Sequence, residues 1–98
     1  MEIRKTVDNE ELTVDVNGRI DTTTAPSLEE TLKESYDSCN KLIIDFAQVE
    51  YISSAGLRVL LSAQKVMGKK GGLVIRNVDE AIMEIFEVTG FSDILTIE

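Results

Sequence analysis

Apolar and polar positions alternate along the first twenty residues, and the period then lengthens. Ile3, Lys5 and Val7 open a period-2 pattern, and Asp8-Asn9 reads as a polar turn. Leu12, Val14 and Val16 then alternate with Glu11, Thr13 and Asp15, which predicts a half-buried strand. Asn17-Gly18 carries the chemistry of a turn and is followed by Arg19-Ile20-Asp21 and three threonines. Pro26 suits the first turn of a helix, with Thr24 or Ala25 as its cap. Leu28, Leu32, Tyr36 and Cys39 follow at near-helical spacing, with Glu29, Glu30, Lys33 and Glu34 on the water side.

A short continuous apolar run, Leu42-Ile43-Ile44 with Phe46, predicts a central strand starting at Lys41. From about Ser54 the period becomes helical. Leu57, Leu60, Leu61, Gln64 and Met67 share one side, and Gly68-Lys69-Lys70-Gly71-Gly72 supplies the basic and glycine residues of a helix stop. Leu73-Val74-Ile75 predicts another buried strand. Asp79 is placed to cap a third helix with Ala81, Ile82, Ile85, Phe86 and Thr89 on one face and Gly90 past its end. Phe91, Ile94, Leu95 and Ile97 close the chain as a short helical turn or an edge strand. The order β-β-α-β-α-β-α implies an α/β fold: one domain over residues 1–98, a mixed sheet of four to five strands and three to four helices.

Composition narrows the chemistry. Eighteen acidic residues against ten basic give a net charge of −8, which repels nucleic-acid backbones and anionic membrane surfaces. The same charge suits a basic protein partner or serves solubility alone. No apolar run approaches the ~18 residues of a membrane span, and the first twenty residues hold no signal-peptide core, so cytoplasm is the expected compartment and membrane insertion is not expected. Histidine is absent, which removes the commonest general base and metal ligand and any Ser-His-Asp triad. With one cysteine, Cys39, neither an internal disulfide nor a zinc site is expected. These residues provision autonomous catalysis poorly, and neither metal nor cofactor is called for.

What remains is the handover from the Lys41 strand to the helix near Ser54. Ser53, Ser54 and Gly56 sit where helix N–H groups lack intrahelical partners and the dipole favours negative charge. A hydroxyl there can cap the helix, bind a ligand's anion, or carry a phosphate itself. The pair can also divide the roles, Ser53 capping and Ser54 exposed. Gly56 within the first turn costs about 1 kcal/mol against alanine, explained either by a partner surface approaching the backbone or by helix–sheet packing. Asp21 with Thr22, Thr23 and Thr24 reads as a turn and cap or as a contact surface. Arg58 falls on the exposed side, solvated or touching a partner or phosphate.

Over nearly its whole length the chain resembles the STAS domain of bacterial anti-sigma factor antagonists. The resemblance rests on Asp45-Phe46-Ala47-Gln48-Val49-Glu50-Tyr51-Ile52-Ser53-Ser54-Ala55-Gly56-Leu57, on Gly18-Arg19-Ile20-Asp21 with Ala25 beyond the threonines, on Gly71-Gly72 and on Gly90-Phe91. The family pattern commonly reads Asp-Ser, then Ser or Thr, then Gly. Aligned on Gly56, Ser53 takes the Asp position, Ser54 the phosphorylated serine and Ala55 the Ser/Thr position. The resemblance thus implies Ser54 as phosphoacceptor, with Ser53 as runner-up. It implies partner contacts from Asp21, Thr22, Thr23, Ser53, Ala55, Gly56 and Arg58. The implied partners are an anti-sigma factor with serine kinase activity and a serine phosphatase. Two other classes stay open: a module whose helix N-terminus cradles the phosphate of a nucleotide or lipid, and a scaffold subunit of a transport or signalling complex.

Overall fold

The structure, a computed structural model, describes residues 1–98. Strand β1 (Glu2–Asp8) turns at Asn9, whose φ of 59° is left-handed, and pairs antiparallel with β2 (Glu11–Ile20). The chain continues through helix α1 (Ala25–Ser35), strand β3 (Lys41–Ile52), helix α2 (Ser54–Met67), strand β4 (Leu73–Arg76), helix α3 (Glu80–Thr89) and strand β5 (Thr96–Ile97). Short 3-10 turns at Tyr36–Ser38 and Phe91–Asp93 follow α1 and α3. The sheet order is β1-β2-β3-β4-β5, parallel from β2 onward. The α/β architecture, the mixed sheet of five strands and the three helices are those expected; the chain's end is both a helical turn and an edge strand.

Period-2 alternation sends Leu12, Val14 and Val16 of β2 and Leu42, Ile44 and Phe46 of β3 to one face. There they form a single core with Leu28 and Leu32 of α1, Leu60 of α2, and Ile82 and Phe86 of α3. All three helices lie on this face, as consecutive right-handed crossovers require. The other face carries cross-strand rows such as Arg4–Asp15–Asp45–Arg76 and Thr13–Ile43–Val74–Thr96, polar apart from buried Ile43 and Val74.

Three local expectations change. Asn17-Gly18 is not a turn: both residues lie inside β2, Gly18 with φ +113°, where the register against β3 shifts. Strand β3 runs six residues beyond Phe46, because it holds an extra residue at each of two register shifts: Asp15 pairs with Asp45 but Asn17 with Gln48, and Gly18 with Val49 but Arg19 with Tyr51. Its inward positions then become Phe46, Val49 and Ile52, a spacing of three that hides a strand from an alternation test. On the helices, the buried stripe of α2 includes Val59 and Ala63 where Leu61 was expected, while Ala81 of α3 is exposed.

Candidate functional site: the strand-to-helix corner

The second shift in β3 aims the chain so that Ile52 is the last inward residue and Ser53 leaves the sheet. The Ser53 N–H donates to the Ile20 carbonyl at 2.8 Å, which ties this corner to the end of β2 and places Asp21 beside it. With φ −95° and ψ 175°, Ser53 is the N-cap of α2: its carbonyl accepts from Leu57 N–H at 2.9 Å and its Oγ from Gly56 N–H at 3.4 Å. The cap contact is long but engages the hydroxyl. Ser54 is the first helical residue, exposed, and its hydroxyl has no partner. The two serines therefore have different environments.

Gly56 is buried, and a Cβ there would lie 2.6 Å from Ile20 Cγ2 and 2.7 Å from Ile52 Cγ1. Close helix–sheet packing at the corner is what requires the glycine. This is the packing explanation of the two that the sequence left open for Gly56. Ala55 is half-buried on the neighbouring face.

Across the corner, the Asp21 carboxylate folds the β2–α1 turn around itself. Its Oδ1 accepts from the Thr23 hydroxyl at 2.7 Å, Thr23 N–H at 3.0 Å and Thr24 N–H at 3.1 Å. The Thr24 hydroxyl accepts from Asp21 N–H and donates to the Arg19 carbonyl at 2.7 Å. Hydrogen bonding, led by the Thr23 hydroxyl, holds the Asp21 carboxyl below its ordinary value of 3.8, against a smaller opposing desolvation. Thr24 is the N-cap of α1, with Pro26 in the first turn. Thr22 stays exposed.

Two arginines flank the corner, with different surroundings. Arg19 is engaged: its guanidinium lies 4.4 Å from the centre of the Tyr51 ring and its Nε 3.9 Å from Asp21 Oδ2. Arg58, one turn into α2, is exposed and makes no ion pair. It lines a shallow groove of about 240 Å³ between α1 and α2, with Thr22, Ala25, Pro26, Glu29, Ala55 and Val59. A second concavity, about 460 Å³, lies away from the corner against Glu2, Arg4, Asp15, Asn17, Asp45 and Gln48. Ligand pockets typically enclose about 300–1,000 Å³ with mostly apolar walls. Neither hollow matches both criteria.

Sequence reasoning brought Asp21, Thr22, Thr23, Ser53, Ser54, Ala55 and Arg58 to this region, and the structure gathers them there. It missed the Arg19–Tyr51 pair and the half-buried Glu29, which pattern had assigned to the water side. The Arg19–Tyr51 contact depends on the second register shift, which sequence alternation does not reveal. Cys39 is buried at the end of the α1 segment, its Sγ donating to the Ser35 carbonyl at 3.4 Å; burial raises its thiol pKa, partly offset by Lys70, which disfavours the thiolate and fits a packing role.

A mixed sheet helix-covered on one face, with a strand-to-helix corner carrying one capping and one unpartnered serine, defines a small single-domain α/β class. The STAS domain model matches residues 2–98, and the chain belongs to the STAS domain family. It is 35% identical over 88 residues to the anti-sigma-B factor antagonist of Bacillus subtilis (strain 168), covering 89% of this chain and 81% of that protein. A crystal structure of an anti-sigma factor antagonist from Mycobacterium paratuberculosis superposes with a TM-score of 0.90 at 28% identity, over 98% of this chain and 83% of that one. The Bacillus cell fate determinant SpoIIAA in its phosphorylated form shares the fold, with a TM-score of 0.76 at 13% identity, over 99% of this chain and 91% of that one. No helix of the chain is long and apolar enough to cross a membrane.

Proposed function

We propose that this chain is an anti-sigma factor antagonist of the partner-switching kind, with Ser54 as its phosphoacceptor. The observation that carries the reading is the division of labour at the corner: Ser53 Oγ is held as the helix cap, while the adjacent Ser54 hydroxyl is exposed and unpartnered. A kinase approaching this surface meets Ser54 as the available serine. The unphosphorylated chain binds and sequesters an anti-sigma factor with serine kinase activity through Asp21, Thr22, Thr23, Ser53, Ala55 and Arg58, in the cytoplasm. Gly56 contributes by letting α2 seat closely against the sheet.

In the transfer step the Ser54 oxygen attacks the γ-phosphorus of ATP in line, its proton passes to a base of the kinase, and ADP leaves. Positioning supplies most of the rate in phosphoryl transfer, so the acceptor chain need only present the hydroxyl. The product gains roughly −1.5 to −2 charge at pH 7. The α2 N-terminus accommodates that charge, whereas an interface arranged around a neutral hydroxyl beside Asp21 and Glu50 does not. A loss of ~3 kcal/mol weakens binding by more than a hundredfold, enough for a switch. A separate serine phosphatase hydrolyses the phosphoserine and restores the binding form.

Intact mass after incubation with a candidate anti-sigma kinase and Mg-ATP tests the assignment. Wild type and Ser53→Ala should gain one phosphoryl group and Ser54→Ala none. A shift lost only in Ser53→Ala would move the site by one residue.

A further inference from the structure

We propose that Arg58 is the counter-ion, within the same chain, of the phosphate on Ser54, and that phosphorylation draws its guanidinium out of the groove between α1 and α2. This inference rests on the assignment of Ser54 above and adds a second consequence to its modification.

Ser54 and Arg58 stand at positions i and i+4 of α2, both exposed. That spacing puts their Cβ atoms about 5–6 Å apart on one face, with the anionic residue N-terminal to the cation, the favoured orientation for a helical ion pair. The guanidinium fork matches phosphate oxygens in a bidentate manner. Among the charged groups around the corner, Arg58 is the one cation without an acidic partner. Arg19 is held over the Tyr51 ring and beside Asp21, and the other charges, Asp21, Glu29 and Glu50, are acidic.

The pair has a consequence beyond local neutralisation. In the unphosphorylated chain Arg58 forms part of the groove wall opposite Glu29, among Thr22, Ala25, Pro26 and Val59. Once it turns to the phosphate, Glu29, itself paired with Lys33 at 3.6 Å, is the remaining charged residue lining the groove. A single transfer thus changes two neighbouring surfaces: Ser54 becomes anionic, and the groove one helical turn away loses its cation. A partner that reads Arg58 in the groove is rejected twice.

The test is a ³¹P NMR titration of the full chain carrying phosphoserine at position 54, installed by genetic-code expansion so that no kinase is needed. In the wild-type background the second phosphate ionisation should lie lower than in Arg58→Ala by about 0.15–0.4 unit, the size expected for an i, i+4 ion pair, with Arg58→Lys in between. The Arg58 Nε–H resonance should also move when position 54 changes from serine to phosphoserine. Coincident titrations of wild type and Arg58→Ala, with an unmoved Nε–H signal, would overturn the proposal. A titration difference combined with no kinase-dependent mass shift at Ser54 would leave the ion pair standing and refute the phosphoacceptor assignment instead.

Discussion

The central distinction at the residue scale is between two neighbouring serines, and it has a stability counterpart. Ser53→Ala removes the α2 cap and should cost about 1 kcal/mol, lowering Tm by roughly 4–8 °C, whereas Ser54→Ala should leave Tm nearly unchanged. Thermal unfolding of the two variants checks this. Gly56→Ala pits a helix-propensity gain of about 1 kcal/mol against a Cβ 2.6 Å and 2.7 Å from branch atoms of Ile20 and Ile52, close to the backbone and hard to displace. Overpacking of this kind costs typically ~1–3 kcal/mol, so net destabilisation is expected in urea unfolding. Asp21 has a signature in pH. Its folded pKa lies below the unfolded one, so its stabilisation is present above the ordinary value of 3.8 and is lost as pH falls through the lowered value. Asp21→Asn should therefore flatten the acid limb of the stability curve while leaving its shape near neutrality unchanged.

The hydrophobic period identified the elements where one side chain in two, or one in three or four, faces a core. It located α1, α2, α3 and the first half of β3, and it placed the strand-to-helix corner at Ser53–Ser54. It failed where backbone irregularity changes which residues face inward. The extra residues in β3 leave Phe46, Val49 and Ile52 buried at intervals of three, and Gly18 takes a positive φ within a strand where the same residue type commonly makes a turn. These departures set the direction in which β3 delivers Ser53, so the part of the fold least legible in the sequence builds the site. Helix α3 docks by burying Ile82 and Phe86, with the Phe86 ring centre 6.2 Å from that of Phe46. Phe86→Ala should cost about 3–5 kcal/mol by denaturant unfolding, with m nearly constant. Ser54 phosphorylation, if tested in that background, should proceed only to the extent that the chain remains folded.

Seen whole, the molecule places its helices on one side of the sheet and gathers the α2 N-terminus, the β2–α1 turn and the α1–α2 groove along one edge. A net charge of −8 sets the long-range field in which a partner arrives. Association with a partner that presents basic residues should slow as ionic strength rises, since steering is screened over a Debye length of about 8 Å at physiological salt. The proposed switch should show mainly in the lifetime of the complex, because a phosphate added at Ser54 would disturb contacts already formed. The decisive quantity is the dissociation constant of the complex between this chain and the anti-sigma serine kinase proposed as its partner, measured with serine and with phosphoserine at position 54. The account predicts tight binding of the serine form and at least a hundredfold weakening on phosphorylation, ~3 kcal/mol. Equal affinities for the two forms would contradict it.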